Sequence, residues 1–291
     1  MFQFSIPRWR LSNAKAEAPR NSYCVFALGR RPSGNMIRPF ARCRLPTALL
    51  AKFRARNAAG LAVADLIKQL FSRERSFAAG TDLARQFSQP ANCALLIEGV
   101  AAQYRILSNG RRQITSILVP GDFVNLHSMI VGQEPYSVLA LDMCRVLVAE
   151  AEQFRSALSN STELGRILWM ETLTEAAIQR ESIVSMGRRT ALGHLAHFIC
   201  ELHERVSMVG KAAGNSFQLP LTQSDLADAL GLSVVHVNRL LKTMRSDGLL
   251  SWSNSVVSIL NEYKLREIAE FDPSYLGFRQ VRQAGVSFSE A

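Results

Sequence analysis

The residues best suited to do chemistry lie in one stretch, LTQSDLADALGLSVVHVNRLLKTMRSDGLL, residues 221–250. Thr222 can cap a helix over 223–230, and Asp225, three residues on, completes a capping-box-like pair and adds negative charge at the positive helix end. Gly231 supplies the left-handed residue that ends that helix, and Ser233 can cap a second one over 234–246. Leu226, Ala227 and Leu230 share one face of the first helix, and Val237, Leu240, Leu241 and Met244 share one face of the second. Two helices joined by so short a turn must cross steeply, so a small side chain is needed where they meet, and Ala227 provides it. Counted from Gln223, the small residue is fifth, the glycine ninth, and the apolar pair Val237 and Leu240 fifteenth and eighteenth. That spacing predicts a helix-turn-helix.

With the apolar face turned inward, Val234, Val235, His236, Asn238, Arg239 and Lys242 are left on the outward face or its edges. A helix fits the major groove of duplex DNA, where its first turns meet base edges. Valine suits a thymine methyl, and Arg239 suits a bidentate bond to guanine. His236 or Asn238 could donate to a base or a phosphate. Lys242, Arg245, Arg189 and the Thr222 or Ser233 hydroxyl suit phosphates, with Gln223 beside them at the start of the first helix. Beyond this pair, SWSNSVVSILN carries two short β runs around Ser253, Asn254 and Ser255, and a hairpin there would make the wing of a winged helix. An ordinary helical hairpin in a globular core is the bland alternative, and for each cation the bland alternative is a solvated charge.

Other elements must hold this motif. Residues 45–71 carry apolar residues at intervals of three and four, interrupted near Gly60, and predict short helices. After Gly80 the texture turns to short β-rich runs with turns at Glu98-Gly99, Asn109-Gly110 and Pro120-Gly121, about ten residues apart, which predicts antiparallel strands in a sandwich or barrel. Asn109-Gly110 is the strongest hairpin signal because both residues tolerate positive φ. A further pair of strands between Ser137 and Glu150 completes the sheet. Helical periodicity returns after Ala151, with an apolar stripe (Leu164, Ile167, Met170, Leu173, Ala177, Val184) that could pack on the β-domain or against a second copy of itself. Gly187 breaks the pattern, and an amphipathic helix with Leu192, Leu195, Phe198, Ile199 and Leu202 on one side follows.

Composition narrows the alternatives. The net charge of +10 is concentrated in residues 1–45, where nine Lys/Arg face Glu17 alone; the remaining 246 residues carry only +2. DNA binding must therefore rest on the local motif and not on overall charge. The basic segment reads as a disordered leader, with a transit peptide or an over-extended start upstream of Met36 as alternatives. No apolar run reaches the length of a membrane span. Cys24, Cys43, Cys93, Cys144 and Cys200 show no zinc spacing and fit a reducing compartment, so a cytoplasmic location is expected. An enzyme is the rival class. A cupin-like metal barrel needs several histidines, and 80–150 offers only His127; no nucleophile-elbow, phosphate-loop, dinucleotide or H-E-x-x-H motif stands in a suitable context, and nothing fixes a triad. Neither catalysis nor a cofactor is expected. A small-molecule-binding or cupin-like β-barrel protein whose helix-turn-helix serves protein contacts remains the alternative.

The stretches EGVAAQYRILSNGRRQITSILVPGDFVNLHSMI and PLTQSDLADALGLSVVHVNRLLKTMRSDGLL, in that order and joined by a long helix, resemble the Crp/Fnr family of transcription regulators over residues 46–272. Between the basic leader over 1–45 and a tail over 273–291, the resemblance implies an α+β chain: an antiparallel β-roll of double-stranded jelly-roll type over 46–150, a long dimerisation helix over 151–186 and a winged helix-turn-helix over 187–272. It also implies a homodimer reading a two-fold duplex DNA site, RNA polymerase as a partner, and a roll that senses an effector whose identity is unknown. Cyclic-nucleotide binders of the family place a Gly-Glu pair and an Arg-Ser or Arg-Thr pair on ribose and phosphate. Here Asn125 and Leu126 stand near the first pair and Pro135, Tyr136 and Ser137 near the second, which argues against cyclic AMP. Cys24 and Cys43 cannot supply four iron-sulfur ligands. Cys93, His127 and Cys144 are the candidates for haem, against the plainer reading of buried cysteine as apolar filler.

Overall fold

The computed structural model describes residues 47–55 and 61–277. The basic leader, the interruption near Gly60 and the last residues of the tail lie outside the described residues. Helices α1 (Thr47–Ala55) and α2 (Leu61–Leu70) come first. They precede seven strands: β1 (Arg73–Phe77), β2 (Asp82–Ala84), β3 (Asn92–Glu98), β4 (Ala101–Ile106), β5 (Arg112–Leu118), β6 (Ser137–Ala140) and β7 (Cys144–Glu150), with the short helix α3 (Ser128–Val131) between β5 and β6. The strands form two antiparallel sheets, ordered β1-β7-β3 and β2-β6-β4-β5. Leu96, Ala101, Leu118, Val124, Val138, Ala140, Val146 and Val148 are buried together as a core of the roll.

Glycine stands at positive φ in each of the three expected turns, at Gly99, Gly110 and Gly121. At Gly99 a side chain is excluded twice over: φ is +88°, and a Cβ would lie 2.5 Å from the Met143 carbonyl oxygen. The β4–β5 hairpin forms as expected, but only Gly110 adopts positive φ. Leu107 N–H bonds the Arg111 carbonyl at 2.8 Å, and the Asn109 side chain accepts from Arg111 N–H at 3.0 Å, so asparagine serves through its amide. β6 and β7 do not pair with each other; they enter different sheets. β1 and β2 leave no mark in the sequence pattern. RERSF is an almost wholly exposed edge strand, so its alternation carries no apolar signal.

After β7 the helical region is divided. α4 (Ala151–Asn160) stops at Ser161, whose side chain accepts from Leu164 N–H and caps α5 (Thr162–Arg188). Gly187 lies inside α5 and does not break it; it is an exposed last-turn residue with open space where a side chain would start, and the chain turns instead at Arg189. Phe53, Ile67, Phe71, Leu95, Leu147, Phe154, Leu164 and Ile167 form a second cluster, so the start of α5 packs on the roll and the helices before it. Farther along, Leu173 and Val184 of the expected stripe are 50% and 44% exposed, so the stripe has two fates, and Trp169, Ile183 and Met186, outside it, are 69%, 65% and 53% exposed.

Thr190 caps α6 (Ala191–Met208) by accepting from Gly193 N–H. There follow β8 (Ser216–Gln218), α7 (Gln223–Leu230), α8 (Val234–Ser246), β9 (Leu250–Ser253), β10 (Val256–Ile259) and α9 (Glu262–Ala269), with the sheet ordered β8-β10-β9. Residues 273–276 form a short 3-10 turn with Leu276 buried. Among the described residues no helix is long and apolar enough to cross a membrane.

Candidate nucleic-acid interface

The turn between α7 and α8 is built by its own sequence. Asp225 N–H bonds Thr222 Oγ at 3.1 Å and Thr222 N–H bonds the Asp225 carboxylate at 3.0 Å, completing the capping box. Gly231 ends α7 at φ 65°, ψ 29°. Ser233 Oγ accepts from His236 N–H at 3.2 Å and starts α8. Leu226, Ala227 and Leu230 are buried against Val237, Leu240, Leu241 and Met244, as the spacing requires.

That packing turns the other side of α8 outward. Val234 and Val235 are 41% and 74% exposed, which is unusual for valine and leaves apolar surface at the start of the helix uncovered. Asn238, Arg239 and Lys242 are exposed and His236 is half-buried; Thr222, Gln223 and Ser233 are also exposed. Arg245 is exposed too, its guanidinium 3.4 Å from the Trp252 carbonyl of the adjoining hairpin. That hairpin, β9 and β10, turns through Asn254 and Ser255, both at positive φ (50° and 61°), the conformation that suits a tight two-residue turn. Arg189 is not with this group. Its guanidinium donates to Ser185 Oγ at 2.7 Å and pairs with Glu181 at 3.1 Å, and its side chain is only 10% exposed, so it faces the interior.

One contact has no local sequence signature, because its partners lie 113 and 116 residues apart. Arg112, opening β5, bonds Asp225 at 2.5 Å and Asp228 at 2.7 Å, both on α7. The signal within the motif is the pair of aspartates three residues apart.

The roll offers a cavity of about 150 Å³ whose lining includes Arg75, Phe77, Asn92, Asn125 and Glu134. Glu134, only 3% exposed, accepts from Asn125 Nδ2 at 2.7 Å and from Ser128 Oγ at 2.5 Å. Asn125 is fixed in turn, its oxygen accepting from Ala94 N–H. Ser137 Oγ accepts from the Gln86 backbone N–H, and Tyr136 packs edge-to-face with His127. The cavity thus holds a carboxylate of the chain itself, and its lining arginine, Arg75, is an exposed strand residue over the Phe77 ring. A cyclic phosphate would meet the Glu134 carboxylate there, with Arg75 as the one cation among the described residues of the lining. Among the described residues no group of three or more His, Cys, Asp or Glu could hold a metal ion. Cys93 and Cys144 are buried, and burial pushes both thiols up, Cys144 to about 12, which keeps them protonated. Burial pushes His127 down.

A bare second helix in a capped helix-turn-helix, a hairpin wing beside it and an antiparallel roll on a long helix define a two-domain DNA-binding regulator. The Crp-like helix-turn-helix domain matches residues 193–268, and the cyclic nucleotide-binding domain matches residues 74–161. The nitrogen fixation regulation protein FixK of Bradyrhizobium diazoefficiens is 28% identical over 60% of this chain and 72% of its own length. The fumarate and nitrate reduction regulatory protein of Vibrio cholerae is 25% identical over 70% and 82%. The solved structure of FixK2 from Bradyrhizobium japonicum superposes with a TM-score of 0.60 at 23% identity, over 67% of this chain and 96% of that one, a likeness of fold. The chain belongs to the Crp/Fnr family of transcriptional regulators, with a helix-turn-helix DNA-binding domain and a roll of the cyclic nucleotide-binding type.

Proposed function

We propose that the protein is a cytoplasmic homodimer, without enzymatic activity of its own, that reads a two-fold duplex DNA site with α8 in the major groove and acts on RNA polymerase. The observation that carries this reading is the exposed face of α8, where Val234, Val235, Asn238, Arg239 and Lys242 stand free of the protein core. Arg239 forks onto a guanine, Val234 and Val235 meet thymine methyls, and His236 or Asn238 bonds a base or a phosphate. Thr222, Gln223, Ser233, Lys242 and Arg245 contact the phosphate backbone, as does the start of α7.

The dimer is supported by α5. Trp169, Leu173, Ala176, Arg180, Ile183 and Gly187 are spaced alternately by four and three, the repeat of a two-helix seam, and the large apolar members are exposed in the single chain. An apolar groove lined by Leu126, Ile130, Val131, Leu158 and Trp169 continues that surface. The division into a roll over 46–150, a dimerisation segment over 151–186 and a DNA-reading domain over 187–272 follows from the same roles. The roll answers to a signal other than cyclic AMP.

The test is the salt dependence of binding to duplex DNA by fluorescence anisotropy. Contacts with phosphates make log affinity fall linearly with log salt, by about 0.9 per phosphate neutralised. A binding constant that stays flat across salt would favour a helix-turn-helix used for protein contacts.

A further inference from the structure

We infer that Arg112 of the roll is a positioning residue for DNA recognition: it grips two aspartates of α7 and so ties the DNA-reading helix pair to the roll directly. The inference rests on the DNA-binding reading above. Its geometry stands on three bonds between elements far apart in sequence. Arg112 Nε donates to Asp228 at 2.7 Å, a terminal nitrogen donates to Asp225 at 2.5 Å, and the neighbouring Gln113 Nε2 donates to the Asp228 carbonyl at 2.6 Å. The Arg112 side chain is 24% exposed and those of Asp225 and Asp228 11% and 26%, so the contact is largely sheltered from solvent. A guanidinium reaches two carboxylates from separate nitrogens of one rigid plane, a fixed fork that the single nitrogen of an ammonium does not supply.

Asp225 is no ordinary surface acid. It is the capping-box residue that holds Thr222, so the same carboxylate fixes the start of α7 and receives the roll's arginine. Helix starts of this kind approach backbone phosphates, and two unpaired carboxylates beside one oppose that approach. Arg112 neutralises them only while the roll and α7 stay together. The seam beneath is apolar and continuous: Ile114 and Ile117 of β5 share one buried cluster with Leu226, Leu230, Val237 and Leu195. The clamped arrangement leaves Val235, Asn238, Arg239 and Lys242 exposed, so it is compatible with reading. Arg112 also lies at the turn end of the hairpin that passes through Gly110, paired with Ile106, so any shift of that hairpin tip moves the clamp.

A charge exchange in the full chain tests this, with a duplex enriched by the wild-type protein from a random pool as the probe and the thermal midpoint as a check of folding. Arg112→Glu is expected to weaken binding on the order of tenfold or more, and the double variant R112E/D228R to recover most of it, a coupling typical of contacting charges. Arg112→Lys is expected to lie between, because it keeps the charge and loses the fork. If R112E does not fold, R112K and the double variant decide the matter: wild-type affinity in R112K overturns the inference. Wild-type affinity in R112E, or a double variant no better than R112E, overturns it as well; so does tighter binding by R112E, which would make the clamp a brake. A wild-type protein that enriches no duplex removes the DNA reading itself, whereas a wild type that binds alongside indifferent variants removes only the role of Arg112.

Discussion

Ile183→Ala on α5 puts the proposed dimer to a quantitative test. Ile183 is 65% exposed in the single chain, on the same stripe as Trp169 and Leu173. Trimming isoleucine to alanine removes about three carbons, worth about 0.8 kcal/mol each when fully buried, or roughly 2.4 kcal/mol. About two-thirds of that surface remains for a partner to cover, which leaves about 1.6 kcal/mol per copy, and two-fold symmetry counts the loss twice, for about 3 kcal/mol. The dimer dissociation constant should therefore rise by about two orders of magnitude. Sedimentation equilibrium over a dilution series measures it, with Tyr263→Ala, 81% exposed on α9, as a control expected to leave assembly unchanged. An unchanged dissociation constant in Ile183→Ala, or a wild type that stays monomeric throughout the series, refutes the seam.

Two further outcomes follow from the roll and from α6. Cyclic AMP should give no saturable heat in titration calorimetry, because the Glu134 carboxylate lines the cavity and Pro135, Tyr136 and Ser137 stand near where cyclic-nucleotide binders carry an arginine; tight binding would contradict the assignment. His197, 3% exposed, is pushed down to about 4 by burial and by Arg189 and His194 beside it, from an ordinary 6.5. Its folded-state value lies below the unfolded one, so its contribution is complete above pH 6.5 and is lost as pH falls toward 4, an acid penalty of about 3 kcal/mol. His197→Phe, which keeps an aromatic ring against Phe271 and Tyr275, should flatten chemical-denaturation stability across that window; an identical acid loss in both proteins would exclude His197 as its source.

What can be read from the sequence is what is built locally. Thr222, Asp225, Gly231 and Ser233 lie within twelve residues, and each acts on backbone groups three or four positions away, so the order of types alone dictates the turn. The glycine turns of the roll are legible for the same reason. What cannot be read depends on distant chain segments. Arg189 looks like a phosphate ligand beside a DNA-binding motif, yet Glu181 and Ser185, two turns and one turn earlier on α5, draw it inward. The Arg112 clamp has no local trace, and Glu134 reads as a loop acid until Asn125 and Ser128 close on it. β1 is hidden because an exposed edge strand need not alternate in hydrophobicity, and the break at Ser161 because its cap signal lies inside an otherwise continuous helical pattern.

The central claim is that α8 reads bases, and Arg239→Ala tests it most directly. Selection of duplexes from a random pool by the wild type and the variant, at matched salt, compares preference position by position. The expected result is a two-fold wild-type site, with preference relaxed at one base pair of each half-site in the variant and a cost of about 1 to 3 kcal/mol there. Identical preference in the two proteins would contradict base reading by α8.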